Sequence, residues 1–169
     1  MKIKTLLVLG VFSAFSLHAE TTVTLSGVHN CCKSCTNGIT KAANTVKDVT
    51  IEAEGSTIKV TAKSKSNVKK AIEAIMAAGY FGTSDAAEEK SSSSSSSSAK
   101  KLTSATVSGA HLCCQKCVNA MTEAVKAVPG VTEYEIVNKS STFTVKGEFT
   151  ESDLLASMNK AGFHGSVGK

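Results

Sequence analysis

Eight consecutive serines, Ser91–Ser98, divide the chain into two segments that are copies of each other. Such a run buries nothing and behaves as a flexible coil. Sliding the sequence by 82 positions lays Thr21–Thr50 on Thr103–Thr132 with 14 identities in 30, among them Ser26-Gly27 with Ser108-Gly109, His29 with His111, and three cysteines. Further on, Ala78-Gly79-Tyr80 falls on Ala161-Gly162-Phe163 at a shift of 83, so the length difference belongs to a connecting loop. Whatever one half folds into, the other must fold into too. Each half has only about 65 residues, near the lower limit for an independent core. The expected boundaries are a leader at 1–19, a first domain at 20–84, a Ser-rich linker at 85–101 and a second domain at 102–169.

Both copies read as the same string of elements. Val23 and Leu25, or Ala105 and Val107, alternate like one strand. After a cysteine-containing loop, Ile39, Ala43 and Val46, or Met121, Val125 and Val128, fall at helical spacing with one buried stripe. Val49, Ile51 and Ala53, a turn at Glu54–Ser56, then Ile58 and Val60 predict a hairpin. Its copy has Tyr134 and Ile136, a turn near Asn138–Ser141, then Phe143 and Val145. A second helix carries Val68, Ile72 and Ile75, or Leu154, Leu155 and Met158, and stops at Gly79 or Gly162, where glycine suits a left-handed cap. A short last strand is expected from about Phe81 and about Gly165. The order β-α-β-β-α-β is the split arrangement of a ferredoxin-like α+β fold, here twice in tandem.

Every cysteine lies in one pattern. The first copy reads His29-Asn30-Cys31-Cys32-Lys33-Ser34-Cys35 and the second His111-Leu112-Cys113-Cys114-Gln115-Lys116-Cys117. Two cysteines three apart at a helix start turn both sulfurs to one point, and the positive end of the helix favours thiolate there. Two converging thiolates suit a soft, low-coordinate ion such as Cu(I) or Hg(II). Cys31 and Cys113 supply a third sulfur, and His29 and His111 would complete a Cys3His set acceptable to Zn(II). His164, after Phe163, is a further candidate ligand at the same end of the fold. A structural disulfide would leave one of three cysteines unpaired in each copy. A redox dithiol at the C-x-x-C pairs stays open, although the one proline, Pro129, lies away from both of them. No paired-carboxylate motif, Ser–His–Asp arrangement or glycine-rich phosphate loop is present, so the reading is not that of an enzyme.

Met1 to Glu20 begins with lysines at 2 and 4, continues through an apolar stretch to Leu17 and reaches Ala19. That matches a secretory signal cleaved after Ala19, and it is shorter than a spanning helix. Its removal lowers the net charge from +5 to +3 and leaves no basic patch with interleaved aromatics, which argues against nucleic acid as a partner. The expected mature chain is periplasmic or secreted, monomeric and without a membrane anchor.

On these residues each copy resembles a heavy-metal-associated domain, the module of copper chaperones and of the N-terminal regions of metal-pumping ATPases. With its leader the chain also resembles the periplasmic mercury-binding members. The resemblance implies that Cys32 with Cys35, and Cys114 with Cys117, bind the metal, and that Tyr80 and Phe163 lie beside it. It also implies a membrane metal transporter or other metal-receiving protein as partner. The chain departs from the family pattern by lacking the methionine before the pair and by inserting His-x-Cys, as in His29-Asn30-Cys31. A Cys-Cys pair occurs in some zinc- and cadmium-handling members. The expected function is that of an exported metallochaperone or sequestration protein. It would hold a soft metal ion, Cu(I) first, then Hg(II), Zn(II) or Cd(II), at a loop in each domain. The alternative is a thiol–disulfide redox protein. A linker with a root-mean-square span of roughly 25 Å lets the two loops meet.

Overall fold

Apolar alternation sets the strands and a three-to-four residue spacing sets the helices. In a computed structural model, which describes residues 20–86 and 101–168, both periods appear where the sequence puts them. The expected leader and the serine run lie outside the described residues. The first unit runs β1 (Thr21–Ser26), α1 (Lys33–Ala43), β2 (Val49–Glu54), β3 (Thr57–Ala62), α2 (Lys65–Ala77) and β4 (Thr83–Ser84). The second runs β5 (Lys101–Ser108), α3 (Gln115–Lys126), β6 (Val131–Glu135), β7 (Thr142–Thr150), α4 (Glu151–Lys160) and β8 (Ser166–Gly168). The result is an α+β fold with two four-stranded sheets, ordered β2-β3-β1-β4 and β6-β7-β5-β8, and four helices.

Each core forms where a sheet meets its helix pair. In the first unit Val23 pairs with Val60 and Leu25 with Ile58, and all four are buried against Ile39 and Ala43 of α1 and Val68, Ala71 and Ile75 of α2. In the second, Ala105 pairs with Val145 and Val107 with Phe143, beneath Met121, Val125, Leu154 and Met158. Burying one such side chain stabilises the fold by about 1.5–3 kcal/mol. Among the described residues no helix is long and apolar enough to cross a membrane.

Several details differ from the expectation. Leu155 is half-buried, whereas Leu154 and Met158 are fully covered. β6 ends at Glu135, before Ile136, and its Tyr134 is exposed. The reason is a bulge: Val131 pairs with Gly147 but Glu133 pairs with Lys146, so Thr132 is an extra residue and the alternation flips. Gly147, at φ 134°, supplies the backbone this needs, and a Cβ there would run into the Gly130 carbonyl. The two residues expected to begin and end the linker, Asp85 and Lys101, are hydrogen-bonded or paired to strand residues. Asp85 exchanges hydrogen bonds with Thr24, through its amide at 3.0 Å and its carboxylate at 2.8 Å, and Lys101 pairs with Thr150. The last strands begin at Thr83 and Ser166, because Phe81 donates its amide to Gly162 of the other unit instead.

Candidate metal centre

The helices leading away from the cysteine loops begin without hydroxyl caps. Ser64 and Thr150 cap α2 and α4 by accepting the Asn67 and Asp153 amides at 3.2 and 3.1 Å. By contrast, α1 and α3 start on Cys32 and Cys114, both extended, with no side-chain cap. The positive dipole ends of both helices therefore lie at the cysteine loops. Three residues on, Cys35 and Cys117 fall on the buried stripe, while Cys31, Cys32, Cys113 and Cys114 are half-buried.

The two loops, read from the sequence as separate sites, come together. Within the first loop Cys32 Sγ lies 3.6 Å from Cys35 Sγ and Cys31 Sγ 3.8 Å; within the second, Cys114 and Cys113 lie 3.6 and 3.7 Å from Cys117. Across the units Cys31 lies 3.7 Å from both Cys114 and Cys117, Cys35 is 3.7 Å from Cys113 and 3.8 Å from Cys117, and Cys32 is 4.0 Å from Cys114. All six thiols are free. His111 offers a nitrogen to the set Cys35, Cys113 and Cys117, and His29 one to Cys31 and Cys117. His164 is in none of these sets; it is half-buried, and its amide donates to the Gly79 carbonyl at 3.0 Å.

The seam between the units is built from residues whose cross-unit role the sequence did not reveal. Both second helices end in a Schellman turn. The amides of Gly79 and Tyr80 return to Met76 and Ile75, and those of Gly162 and Phe163 to Asn159 and Met158. Each turn then presses on the opposite loop: a Cβ at Gly79 would meet Gly109 and His111 backbone, and one at Gly162 would meet Gly27 and His29. The aromatics are exchanged in the same way, His29 stacking on Phe163 at 4.3 Å and Tyr80 tilting over His111 at 4.4 Å. An antiparallel bridge joins Tyr80 to Phe163. Matching His and aromatic positions in the two copies were the available signal, but a repeat does not say which copy a side chain will meet.

Protonation follows position. The Cys35 amide holds the Cys32 thiol below its ordinary range, and the Cys117 amide brings Cys114 down to about 6. Burial pushes Cys31, Cys35 and Cys117 up, and Cys113 up to about 12. Each unit thus sets one more acidic thiol beside two less acidic ones, and in the second unit Cys114 is the ready thiolate. Burial lowers His29, His111 and His164, keeping the imidazoles neutral. His29 Nε2 and His111 Nε2 are buried without a hydrogen-bond partner.

Residues 106–164 match the heavy-metal-associated domain. No curated protein matches the sequence. Among solved structures, the N-terminal soluble domains of Bacillus subtilis CopA are similar at 16% identity and a TM-score of 0.32, over 89% of this chain and 95% of that one. The heavy-metal-associated domain takes in His111, Cys113, Cys114 and Cys117, and the cysteine cluster is compatible with heavy-metal binding. A cleft of about 350 Å³ lies beside the cluster, lined by residues that include Ala77, Ala78, His111, Leu112 and Cys113.

Proposed function

We propose that this chain is an exported carrier or sequestering protein for a soft metal ion, with no catalytic activity of its own. Cu(I) is the first choice of guest, and Hg(II), Zn(II) and Cd(II) are further ones. The observation that carries this reading is the composition of the donor sets: among the described residues they contain cysteine and histidine and no carboxylate. Thiolates select soft ions, whereas Mg(II), Ca(II) and Mn(II) need oxygen ligands. The first unit is proposed as a second heavy-metal-associated domain, on the strength of the internal repeat and the matching sheet order. Half-buried sulfurs beside buried ones suit a carrier, because an incoming ligand joins at Cys32 or Cys114 before the last bond is released. The receiver would be a membrane transporter or another thiol protein outside the cytoplasm, reached by a monomer after cleavage near Ala19.

The test is to prepare the mature chain without oxygen, count its thiols and measure Cu(I), Zn(II), Cd(II) and Hg(II) retained against a competing chelator. Retention of Cu(I), and its loss when all six cysteines become serine, is expected. Retention by the six-serine variant refutes the reading. A specific observation keeps the dithiol alternative in view: Cys32–Cys35 and Cys114–Cys117 are the shortest sulfur separations, both 3.6 Å. Catalysed reduction of insulin without metal retention would favour it.

A further inference from the structure

The geometry points to a single polynuclear cluster at the seam, four Cu(I) ions bound by six bridging thiolates, and not to one ion in each unit. This rests on the metal-carrier reading and goes beyond it in stoichiometry and architecture. Besides the separations given above, Cys31–Cys32, Cys32–Cys113 and Cys113–Cys114 lie within 4.8 Å. Every sulfur then has four others beside it. The pairs left over are Cys31 with Cys113, Cys32 with Cys117, and Cys35 with Cys114, and they share no residue. Six points joined in that way are the corners of an octahedron.

Four alternate faces of that octahedron are Cys31–Cys32–Cys35, Cys31–Cys114–Cys117, Cys32–Cys113–Cys114 and Cys35–Cys113–Cys117. Each cysteine appears in two of them, so one ion per face makes every ion three-coordinate and every sulfur a bridge. The size agrees: a triangle with 3.7 Å edges, such as Cys31–Cys114–Cys117, holds its corners about 2.1 Å from its centre, against metal–sulfur bonds of about 2.3 Å. The nine sulfur pairs at 3.6–4.0 Å need to spread by at most a few tenths of an ångström. A three-sulfur face suits a soft univalent ion; Zn(II) seeks a fourth ligand.

Charge and protons balance without a change of oxidation state. Four Cu(I) and six thiols give a cluster of charge −2 and release six protons, fewer by whatever thiolate is already present at Cys32 and Cys114. The residual negative charge sits at the N-termini of α1 and α3, with Lys33 and Lys116 in their first turns. No single unit has enough sulfurs for the cage, so filling it requires the seam closed by Gly79, Gly162 and the exchanged His–aromatic pairs.

The experiment titrates the full mature chain, reduced and without oxygen, with Cu(I) supplied as its acetonitrile complex, and follows it by native mass spectrometry. The expected result is a cooperative passage from metal-free to four-copper monomer with little of the intermediate species. A series ending at two coppers per chain overturns the cluster while leaving the carrier reading intact, as does a four-copper species found only in paired chains. No uptake at all overturns both. Replacing Cys31→Ser with Cys113→Ser keeps both C-x-x-C pairs, and capacity is expected to fall from four coppers to two; unchanged capacity would refute the bridging role. X-ray absorption of the loaded wild-type chain supplies a check independent of folding in the variant. Copper–copper scattering beyond the sulfur shell is expected, and a sulfur shell alone counts against the proposal.

Discussion

The two units bring their sulfurs to matching positions with different supporting side chains. In the first loop Asn30 is the pin: its Nδ2 donates to the Gly55 carbonyl at 2.9 Å and its Oδ1 accepts from Thr36 Oγ1 at 2.9 Å. At the same position the second loop has Leu112, buried to 2% exposure, whose carbonyl accepts the Lys139 amide at 2.7 Å. The hairpins differ too, regular between β2 and β3 and bulged between β6 and β7. What stays alike is the end that carries the cysteines: uncapped helix starts, a Schellman turn, and an aromatic laid against the opposite histidine. The difference teaches that a polar pin and an apolar plug are interchangeable ways to fix a loop, provided the sulfurs end up in the same place.

Removing each device in turn should show that the two loops depend on them unequally. Leu112→Asn removes a buried leucine and buries an amide without partners, a loss of about 3–5 kcal/mol. Asn30→Ala in the half-buried first loop gives up two hydrogen bonds and should cost about 1 kcal/mol. Urea denaturation of the metal-free chain measures both, and equal losses would show that the loops are not held as described.

The matched caps, by contrast, should behave alike. Folding depresses Cys32 and Cys114 below the ordinary thiol range, so their thiolates persist as pH falls, for Cys114 until about 6, and protonation below that removes the reactivity. Cys113, raised to about 12, stays a thiol at neutral pH. Even with the lower intrinsic nucleophilicity of an acidic thiol, Cys114 should react with iodoacetamide on the order of a hundredfold faster than Cys113 at pH 7. Peptide mapping after brief alkylation should find Cys114 and Cys32 labelled first. Labelling of Cys114 that rises only near pH 9 would contradict the role given to the helix start.

Much of this fold is legible in the residues because it depends on local periods and turn chemistry. Val23 and Leu25 alternate, Ile39 and Ala43 recur at helical spacing, and Gly79 and Gly162 stop their helices with positive φ. What the residues do not reveal depends on distant backbone. The Thr132 bulge answers to Gly147, fifteen positions on, and it turns Tyr134 outward although the alternation favours the core. The meeting of the loops is further removed still. A repeat promises two similar surfaces, and the linker permits contact, but the stacking of His29 on Phe163 needs shape complementarity that no spacing encodes.

A smaller comparison lies behind the aromatics. Tyr80 carries a hydroxyl that is buried without a hydrogen-bond partner, and a Cβ on Gly38 of α1 would collide with it. The second unit has Phe163 and Ala120 at the matching positions, so the hydroxyl and the glycine are absent together. Glycine inside a helix is about 1 kcal/mol worse than alanine, which the first unit accepts to make room for the tyrosine. Gly38→Ala alone should therefore destabilise by about 1–2 kcal/mol through overpacking. Tyr80→Phe alone should be neutral or gain up to about 1 kcal/mol by removing an unsatisfied polar group. Together they should be more stable than wild type by about 1–2 kcal/mol, so the change of sign in a double-mutant cycle is the signature. If Gly38→Ala gains stability with Tyr80 in place, the steric reading of this pair fails, and the matching of Tyr80 with Gly38 and of Phe163 with Ala120 has no physical link.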